Sequence, residues 1–261
     1  SITPSTNPVS TIVNNSISMI AGGNAVVFCP HPSAKRVINR TIDLITQTIE
    51  SLGAPKGLVS AIREPSKELA LGLMKHSGID LLVVTGGGEV VRLALNSGKK
   101  AICAGPGNPP VVVDETAIID KAGRDIVNGA SFDNNVLCTD EKEVFVVETV
   151  AEKLKRVMRE AGAYELKGEA IERITNLIIK DDPNPKGERH PIVNRAMVGK
   201  NASFLLERIG IVPPKNVRLI IFDAPWDHAL VMAEQLTPAL PIVKVRDVEE
   251  AMRYAIIVEH R

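Results

Sequence analysis

The sequence predicts an α/β protein with a Rossmann-type parallel sheet. Short apolar β runs alternate with amphipathic helical stretches, and a glycine cluster follows one of the strands. Strands that alternate with helices at this spacing form parallel sheets with right-handed crossovers, the frame of nucleotide-binding domains. The 261 residues are enough for one large or two ordinary domains. Ligands are then expected at the carboxyl ends of the strands.

The first half of the chain alternates regularly between the two kinds of element. Apolar residues at helical spacing predict the helices, glycines mark helix ends, and short apolar runs predict the strands. The predicted elements are a helix over 10–21, a strand over 25–28, a helix over 33–52, a strand over 58–62, a helix over 66–76, a strand over 81–85, a helix over 89–96 and a strand over 101–103.

A glycine- and proline-rich run from Ala104 to Pro110 separates two predicted domains, 1–104 and 105–261. Residues 181–191 are predicted to form a loop or a partly disordered segment. The second domain is predicted to contain strands over 111–113, 144–147, 217–222 and 241–245, and helices over 115–129, 149–161, 168–179, 200–209 and from Asp247, its cap, onward.

Composition excludes several classes of protein. Hydrophobic residues make up 44% of the chain and charged residues 24%, which is typical of a globular protein. The 31 basic and 31 acidic residues cancel, so nucleic acid is not an expected partner. The apolar stretches are too short to span a bilayer, and we expect a soluble cytoplasmic chain. Three cysteines without paired spacing predict neither a disulfide framework nor a zinc site.

A polar turn that ends in one cysteine, Phe132 to Cys138, is the most informative stretch. It lies between a predicted helix and a predicted strand, which presents the thiol instead of burying it. A thiolate attacks carbonyl carbon well, and backbone N–H groups can lower its pKa from about 8.5. The alternative is that Cys138 is a small semi-buried hydrophobe, as free cysteines commonly are.

Two loops at predicted strand ends are candidate ligand sites. Thr85, Gly86 and Gly87 follow an apolar strand and open a helix, so their backbone N–H groups could approach a phosphate. These glycines could instead only permit a tight turn. Pro30 and His31 belong to a stiff proline-rich loop that could line one side of a site for a flat ligand, although His31 could equally be an ordinary exposed histidine.

Asn7 precedes the first predicted helix. An asparagine at such a position is most often a turn or cap residue. Its side-chain amide could instead donate to a developing oxyanion if the fold brings it near Cys138.

Six colinear stretches resemble the aldehyde dehydrogenase superfamily, most closely its CoA-acylating branch, the acetaldehyde and propionaldehyde dehydrogenases of ethanolamine and propanediol utilisation. The stretches are ITPSTNP, GNAVVFCPHPSAK, VTGGGEVV, GPGNPPVVVDETA, GASFDNNVLCTDEKE and EQLTPALPIVKVRDVEEA. The resemblance implies an aldehyde dehydrogenase-like fold, with 1–104 in an NAD- and CoA-binding domain and 105–261 in an α/β catalytic domain. Family members start before Ser1 and continue past Arg261, so the resemblance also implies an internal fragment.

The resemblance assigns roles by position. Cys138 matches the nucleophile that attacks the aldehyde, and Asn7 matches the asparagine that holds the oxyanion together with the Cys138 backbone N–H. Glu234 falls where a glutamate holds the nicotinamide ribose. The other matches are cofactor positions: Thr85, Gly86 and Gly87 at the dinucleotide phosphates, and Pro30 and His31 by the adenine and its ribose.

One departure from the family pattern concerns water. Hydrolytic members carry ELGGK before their proline and valine run, and its glutamate is the base that activates water. Aligning the runs on Pro110 places Ala104 at the glutamate position. Water has a pKa near 15.7 and a thiol a pKa near 8.5, so attack by CoA needs far less help from a base. Asp133 is the nearest alternative base, but a turn-capping role is favoured for it.

The resemblance implies NAD as cofactor, CoA as co-substrate and a short-chain aldehyde as substrate. It also implies a homo-oligomer of the whole protein in the cytoplasm, with a bacterial microcompartment and its shell proteins left open as location and partners. Three alternatives remain open: a hydrolytic aldehyde dehydrogenase, the aldehyde dehydrogenase half of a bifunctional aldehyde-alcohol dehydrogenase, and a non-catalytic nucleotide-binding module.

Overall fold

The computed structural model of the chain describes residues 1–180 and 191–259. The loop predicted over 181–191 therefore lies outside the described residues except for its last position. The chain forms two compact units, Ser1–Pro106 and Gly107–Arg261. The division falls inside the glycine- and proline-rich run, two residues after the predicted boundary. The assignment of cofactor binding to one unit and of chemistry to the other stays a prediction.

The first unit contains parallel strand pairs covered by helices. β1 pairs with β2 and β3 with β4, each in parallel. Every element predicted for this half is present in the predicted order, with bounds that differ by a few residues. The elements are α1 (Pro8–Ala21), β1 (Val26–Phe28), α2 (Lys35–Ser51), β2 (Val59–Ala61), α3 (Lys67–Lys75), β3 (Leu81–Thr85), α4 (Gly88–Leu95) and β4 (Lys100–Ala104).

A segment that the sequence did not mark as a strand joins the two pairs. The Ile2 N–H donates to the Val83 carbonyl (2.8 Å) and the Ile2 carbonyl accepts from the Thr85 N–H (3.0 Å). On its other side the Thr3 N–H donates to the Cys29 carbonyl (3.2 Å). The first residues of the chain thus connect β1 with β3 in parallel bridges and complete one sheet.

The core of the first unit lies between its helices and the β1–β2 pair. Phe28, Ile12, Ile38 and Ile42 are almost fully buried there, because α1 and α2 turn their apolar stripes toward the strands. Together these side chains remove a continuous apolar surface from water, at roughly 1.5–3 kcal/mol for each fully buried side chain.

The second unit is built on one five-stranded parallel sheet with the order β5-β6-β11-β10-β7. Its central strands β6, β10 and β11 are buried on both faces, which explains their nearly continuous apolar sequences. The elements are β5 (Pro110–Val113), α5 (Ile119–Ala130), β6 (Glu143–Val147), α6 (Glu148–Glu160), β7 (Ala163–Glu165), α7 (Glu169–Ile178), β8 (Ile179–Lys180), β9 (Ile192–Val193), α8 (Ala202–Arg208), β10 (Leu219–Asp223), β11 (Ala239–Val245) and α9 (Val248–Glu259).

The second unit differs from the prediction in three places. Helix α5 begins at Ile119 instead of 115, because the Asp114 carboxylate accepts from the Thr116 N–H (3.0 Å) and hydroxyl (2.7 Å) and closes a turn. Strand β7 and the short antiparallel pair β8–β9 were not predicted. The cap at Asp247 is confirmed, since its carboxylate accepts from the Glu250 N–H (2.8 Å). Among residues 1–180 and 191–259, no helix is long and apolar enough to cross a membrane.

Candidate active site

The turn before Cys138 has an unusual backbone. Asp133, Asn134 and Asn135 take φ angles of 44°, 56° and 63°, so three consecutive residues lie in the left-handed region. Asparagine and aspartate tolerate this region better than other residues with a Cβ. The sequence thus supplies suitable residues for a left-handed turn that reverses the chain after α5. Cys138 follows in the next turn and is half-buried, which leaves both interpretations of this cysteine open.

Side chains fix this turn from within. Asn135 is 1% exposed, and its Nδ2 donates to the carbonyls of Ala130 (2.9 Å) and Glu141 (2.8 Å). The Asp140 carboxylate accepts from the Leu137 N–H (3.2 Å). The Asp133 side chain is exposed and makes no hydrogen bond within the described part of the chain, so Asp133 contributes through its backbone and the favoured capping role is wrong.

The loop before β5 packs directly on Cys138. A Cβ added to Gly107 would lie 2.7 Å from the Cys138 carbonyl oxygen, which is closer than real Cβ atoms come. The Gly107 N–H donates to Glu234 Oε1 (3.2 Å), and the Asn108 Nδ2 donates to the Val231 carbonyl (2.8 Å). The second unit therefore brings Cys138 and Glu234 to the same loop.

Burial sets the electrostatics of this cluster. Burial raises the pKa of the Glu234 carboxyl, while the Gly107 N–H and the Lys142 ammonium act in the opposite direction. Burial lowers the pKa of Lys142 to about 8, against the attraction of nearby acidic groups. Lys142 was not predicted as a site residue, because a lysine in a charged loop sequence normally faces solvent.

These residues lie at the amino edge of their sheet. Gly107 precedes β5, Cys138 precedes β6 and Glu234 precedes β11, and these three strands are adjacent in the order β5-β6-β11. The predicted site residues of the second unit therefore do not lie at the carboxyl ends of its strands. Those of the first unit lie at the carboxyl ends of β1 and β3, and their role in binding a ligand stays a prediction.

The first unit has a cavity of about 240 Å³ at the carboxyl ends of β1 and β3. All five predicted cofactor residues of this unit line it, namely Pro30, His31, Thr85, Gly86 and Gly87. The volume is below the roughly 300–1,000 Å³ of whole small-molecule sites, so the cavity fits one part of a dinucleotide. A larger groove of about 550 Å³ between α1 and α2 is apolar and contains none of the predicted residues.

Local structure in this cavity agrees with phosphate binding. Gly87 caps α4 without any side-chain hydrogen bond, and a Cβ at Gly87 or Gly88 would meet no atom within 4 Å. Space is therefore open beside the start of α4, at a positive helix end. The Thr85 and Gly86 N–H groups are not free for a phosphate as expected, because they donate to the Ile2 carbonyl (3.0 Å) and the Ala104 carbonyl (3.1 Å). Thr3 also lines the cavity, and its hydroxyl is buried without a hydrogen-bond partner among the described residues. Open space at the start of a helix suits a ligand with several oxygen acceptors.

His31 and Asn7 have partly structural roles. The His31 Nδ1 accepts from the Ser33 N–H (3.2 Å) and thereby caps the short helical turn that follows. Asn7 stands at the N-cap position of α1, but its side chain makes no cap hydrogen bond, and its Oδ1 accepts from the Thr6 hydroxyl (3.2 Å). Within the described residues, the Asn7 Nδ2 donates to no acceptor. The predicted oxyanion role of Asn7 stays a prediction.

A metal centre is not formed by the described side chains. In the part of the chain that the structure describes, no three or more His, Cys, Asp or Glu side chains are close enough to hold a metal ion.

Comparison with known proteins gives consistent matches. The model of the aldehyde dehydrogenase family matches residues 1–178. An acetaldehyde dehydrogenase (acetylating) of Bilophila wadsworthia is 43% identical over 262 residues, which cover 99% of this chain and 54% of that protein. The chain thus spans about half the length of the curated relatives it matches.

Solved structures match equally well. A propionaldehyde dehydrogenase from the Clostridium phytofermentans fucose utilisation bacterial microcompartment has a TM-score of 0.92 and 44% identity, with 99% of this chain and 58% of that chain covered. A Rhodopseudomonas palustris propionaldehyde dehydrogenase with bound CoA and an acylated cysteine has a TM-score of 0.91 and 45% identity, with 99% and 57% covered.

Proposed function

The chain belongs to the aldehyde dehydrogenase family, and we propose that it supplies the dinucleotide-binding and nucleophilic parts of a CoA-acylating aldehyde dehydrogenase. The proposed reaction converts a short-chain aldehyde, NAD⁺ and CoA into an acyl-CoA, NADH and a proton, and it is reversible. The packing of Gly107 on the Cys138 loop, beside Glu234, is the observation that supports this proposal most directly.

Cys138 is the proposed nucleophile. Its thiolate adds to the carbonyl carbon of the aldehyde, forms the C–S bond and leaves negative charge on the oxygen. The proposed donors to this oxyanion are the Cys138 N–H and the Asn7 side-chain amide, and one such donor is typically worth about 3 kcal/mol of barrier.

The dinucleotide has proposed contacts in both units. Thr85, Gly86 and Gly87, with Pro30 and His31, would hold the phosphates and the adenosine, and Glu234 would hold the nicotinamide ribose. These assignments are supported by the cavity that the first five residues line and by the carboxylate placed at Gly107. When bound, NAD⁺ supplies the acceptor for the hydride that leaves the substrate carbon.

CoA is the proposed acyl acceptor. Ala104 ends β4 and is exposed, so this position offers no carboxylate to activate water. The CoA thiol ionises far more readily than water, so its thiolate can attack the Cys138 thioester without a strong base. That attack forms acyl-CoA and restores the Cys138 thiolate. A hydrolytic aldehyde dehydrogenase would need a carboxylate base at this position, and Ala104 does not provide one.

The remaining assignments concern the whole protein. A homo-oligomer in the cytoplasm stays the proposed state. One matching structure comes from a bacterial microcompartment, and this supports a microcompartment location with shell proteins as partners.

Product analysis of the whole protein tests the proposed function. With acetaldehyde or propionaldehyde and NAD⁺, we expect sustained NADH and acyl-CoA formation only when CoA is present. Cys138→Ala should abolish both products. Cys103→Ala is the matched control, because Cys103 is also a free, half-buried cysteine but lies in β4, and it should retain activity. Formation of abundant free carboxylic acid from the aldehyde in the absence of CoA would contradict the proposal.

A further inference from the structure

The Lys142 side chain is fully buried beside the Cys138 turn, with 0% of the residue exposed. Its Nζ donates to the Asn135 carbonyl (3.0 Å), the Asn135 Oδ1 (2.6 Å) and the Leu137 carbonyl (2.7 Å). An ammonium has three N–H donors, so all of them are used on this turn. Burying a charge is unfavourable unless it is paired or hydrogen-bonded, and here the acceptors belong to the loop that carries the nucleophile.

The Leu137 carbonyl belongs to the same peptide unit as the Cys138 N–H. Because a trans peptide is planar, holding its oxygen in one direction holds its N–H in the opposite direction. The positive charge of the ammonium beside this oxygen also polarises the peptide unit and strengthens the Cys138 N–H as a hydrogen-bond donor. The Cys138 N–H itself has no acceptor among the described residues, so it is free to bind a ligand oxygen.

The backbone of Lys142 links the same loops. Its N–H donates to the Pro109 carbonyl (3.0 Å), and its carbonyl accepts from the Gln235 Nε2 (2.8 Å). Pro109 belongs to the loop of Gly107, and Gln235 follows Glu234. One residue therefore connects the three loops at the amino edge of the sheet.

We propose that Lys142 is a positioning residue of this site, whose ammonium orients and polarises the Leu137–Cys138 peptide so that the Cys138 N–H serves as an oxyanion donor. The inference rests on the proposed function, in which Cys138 is acylated. It predicts that Lys142 acts on reactions that form an oxyanion at Cys138 and not on thiol reactivity in general.

Two reactions of Cys138 in the whole protein separate these effects. Iodoacetamide alkylates the thiolate at a saturated carbon and forms no oxyanion. With p-nitrophenyl acetate, the thiolate forms a C–S bond through an oxyanion, and the C–O bond breaks to release p-nitrophenolate. Both rates are proportional to the fraction of Cys138 that is present as thiolate, so this fraction cancels in the ratio of the acylation rate to the alkylation rate. Neither reaction uses an aldehyde, NAD⁺ or CoA, so failure of this inference is distinguishable from failure of the proposed function.

Lys142→Met should lower this ratio by about tenfold, because the donor is weakened but not removed, whereas full loss of a donor costs roughly 100-fold or more. Lys142→Arg keeps the charge and should recover part of the loss. Lys155→Met is the matched control, since Lys155 is also buried but pairs with Glu165 (3.1 Å) and Asp223 (2.9 Å) at the carboxyl ends of β7 and β10. It should destabilise the fold and leave the ratio unchanged.

The wild-type protein gives a second test if Lys142→Met does not fold. The groups that act on Lys142 are Asp140, Glu234, Cys138 and Glu143, and burial outweighs them to bring its pKa to about 8. The ratio should therefore fall as the pH rises above about 8 and the ammonium loses its proton. An unchanged ratio in Lys142→Met, an equal fall in Lys155→Met, or a flat wild-type ratio across this range would overturn the proposal.

Discussion

Replacing Asn135 tests whether its side chain holds the left-handed turn before Cys138. Asn135→Ala removes two amide donors, to Ala130 and Glu141, and the Oδ1, which is one of the three acceptors of the Lys142 ammonium. Each neutral hydrogen bond contributes about 1 kcal/mol and a bond to a charged group about 2 kcal/mol. Because the site is buried, we expect the lost hydrogen bonds alone to lower the free energy of unfolding by about 4 kcal/mol, in the upper tail of single substitutions, and the strain of an alanine at a left-handed φ adds to this loss.

Asn135→Gly separates the contribution of the lost hydrogen bonds to stability from the contribution of backbone strain. It loses the same bonds, but glycine adopts the φ of 63° without a Cβ penalty. An alanine in the left-handed region is strained by roughly 1–2 kcal/mol, and the greater entropy of unfolded glycine offsets about half of this. Asn135→Gly should therefore be about 0.5–1 kcal/mol more stable than Asn135→Ala, the reverse of the order in a helix.

Urea unfolding of the whole protein measures both variants. Asp133 is the matched control, because its φ is 44° and its side chain is exposed. Asp133→Ala should cost about 1 kcal/mol and Asp133→Gly close to nothing, since only the backbone is affected. The reasoning is refuted if Asn135→Gly is no more stable than Asn135→Ala, or if Asp133→Ala is neutral.

Two further predictions concern Gly107 and Glu143. In Gly107→Ala the new Cβ would collide with the Cys138 carbonyl, so the rate of Cys138 acylation, measured by stopped flow, should fall at least about tenfold. Gly72→Ala is the control: its new Cβ would meet no atom within 4 Å, and the acylation rate should not change. Burial raises the pKa of Glu143 to about 9, and neither carboxyl oxygen has a partner among the described residues. The folded protein then keeps a proton that the unfolded chain releases near pH 4.5, so the free energy of unfolding falls as the pH rises from about 4.5 to about 9. Glu143→Gln should flatten this dependence in urea unfolding at pH 5 and pH 8, and an unchanged slope would contradict it.

The order of elements could be predicted because their hydrophobic periodicity is strong. Strand β7 was missed because its sequence, Ala-Tyr-Glu, is too short to show alternation, and its strand conformation comes from pairing with β10. Ile2 was missed for a similar reason: its neighbours in the sheet, Cys29 and Val84, are remote in sequence. Pairing over such separations leaves no local pattern.

The candidate site was only partly accessible to sequence reasoning. Cys138 stands out by its turn, but Glu234 lies in a loop without periodicity and could be singled out only through the family resemblance. Lys142 could not be singled out at all, since the sequence around it is charged and looks solvated. Its burial depends on acceptors that the left-handed turn and the Leu137 carbonyl provide, and these exist only after folding.

The bridging segment at Ile2 has a consequence for folding and aggregation. With this segment in place, the edges of β1 and β3 that face each other are both paired with it. If it detached, two rows of backbone N–H and C=O groups would face solvent, and open edges of this kind recruit strands from other molecules. The sheet of the first unit also closes only after residues 2 and 83 meet, a long-range contact that slows folding. Substitutions that loosen Ile2 should therefore promote self-association before they affect chemistry.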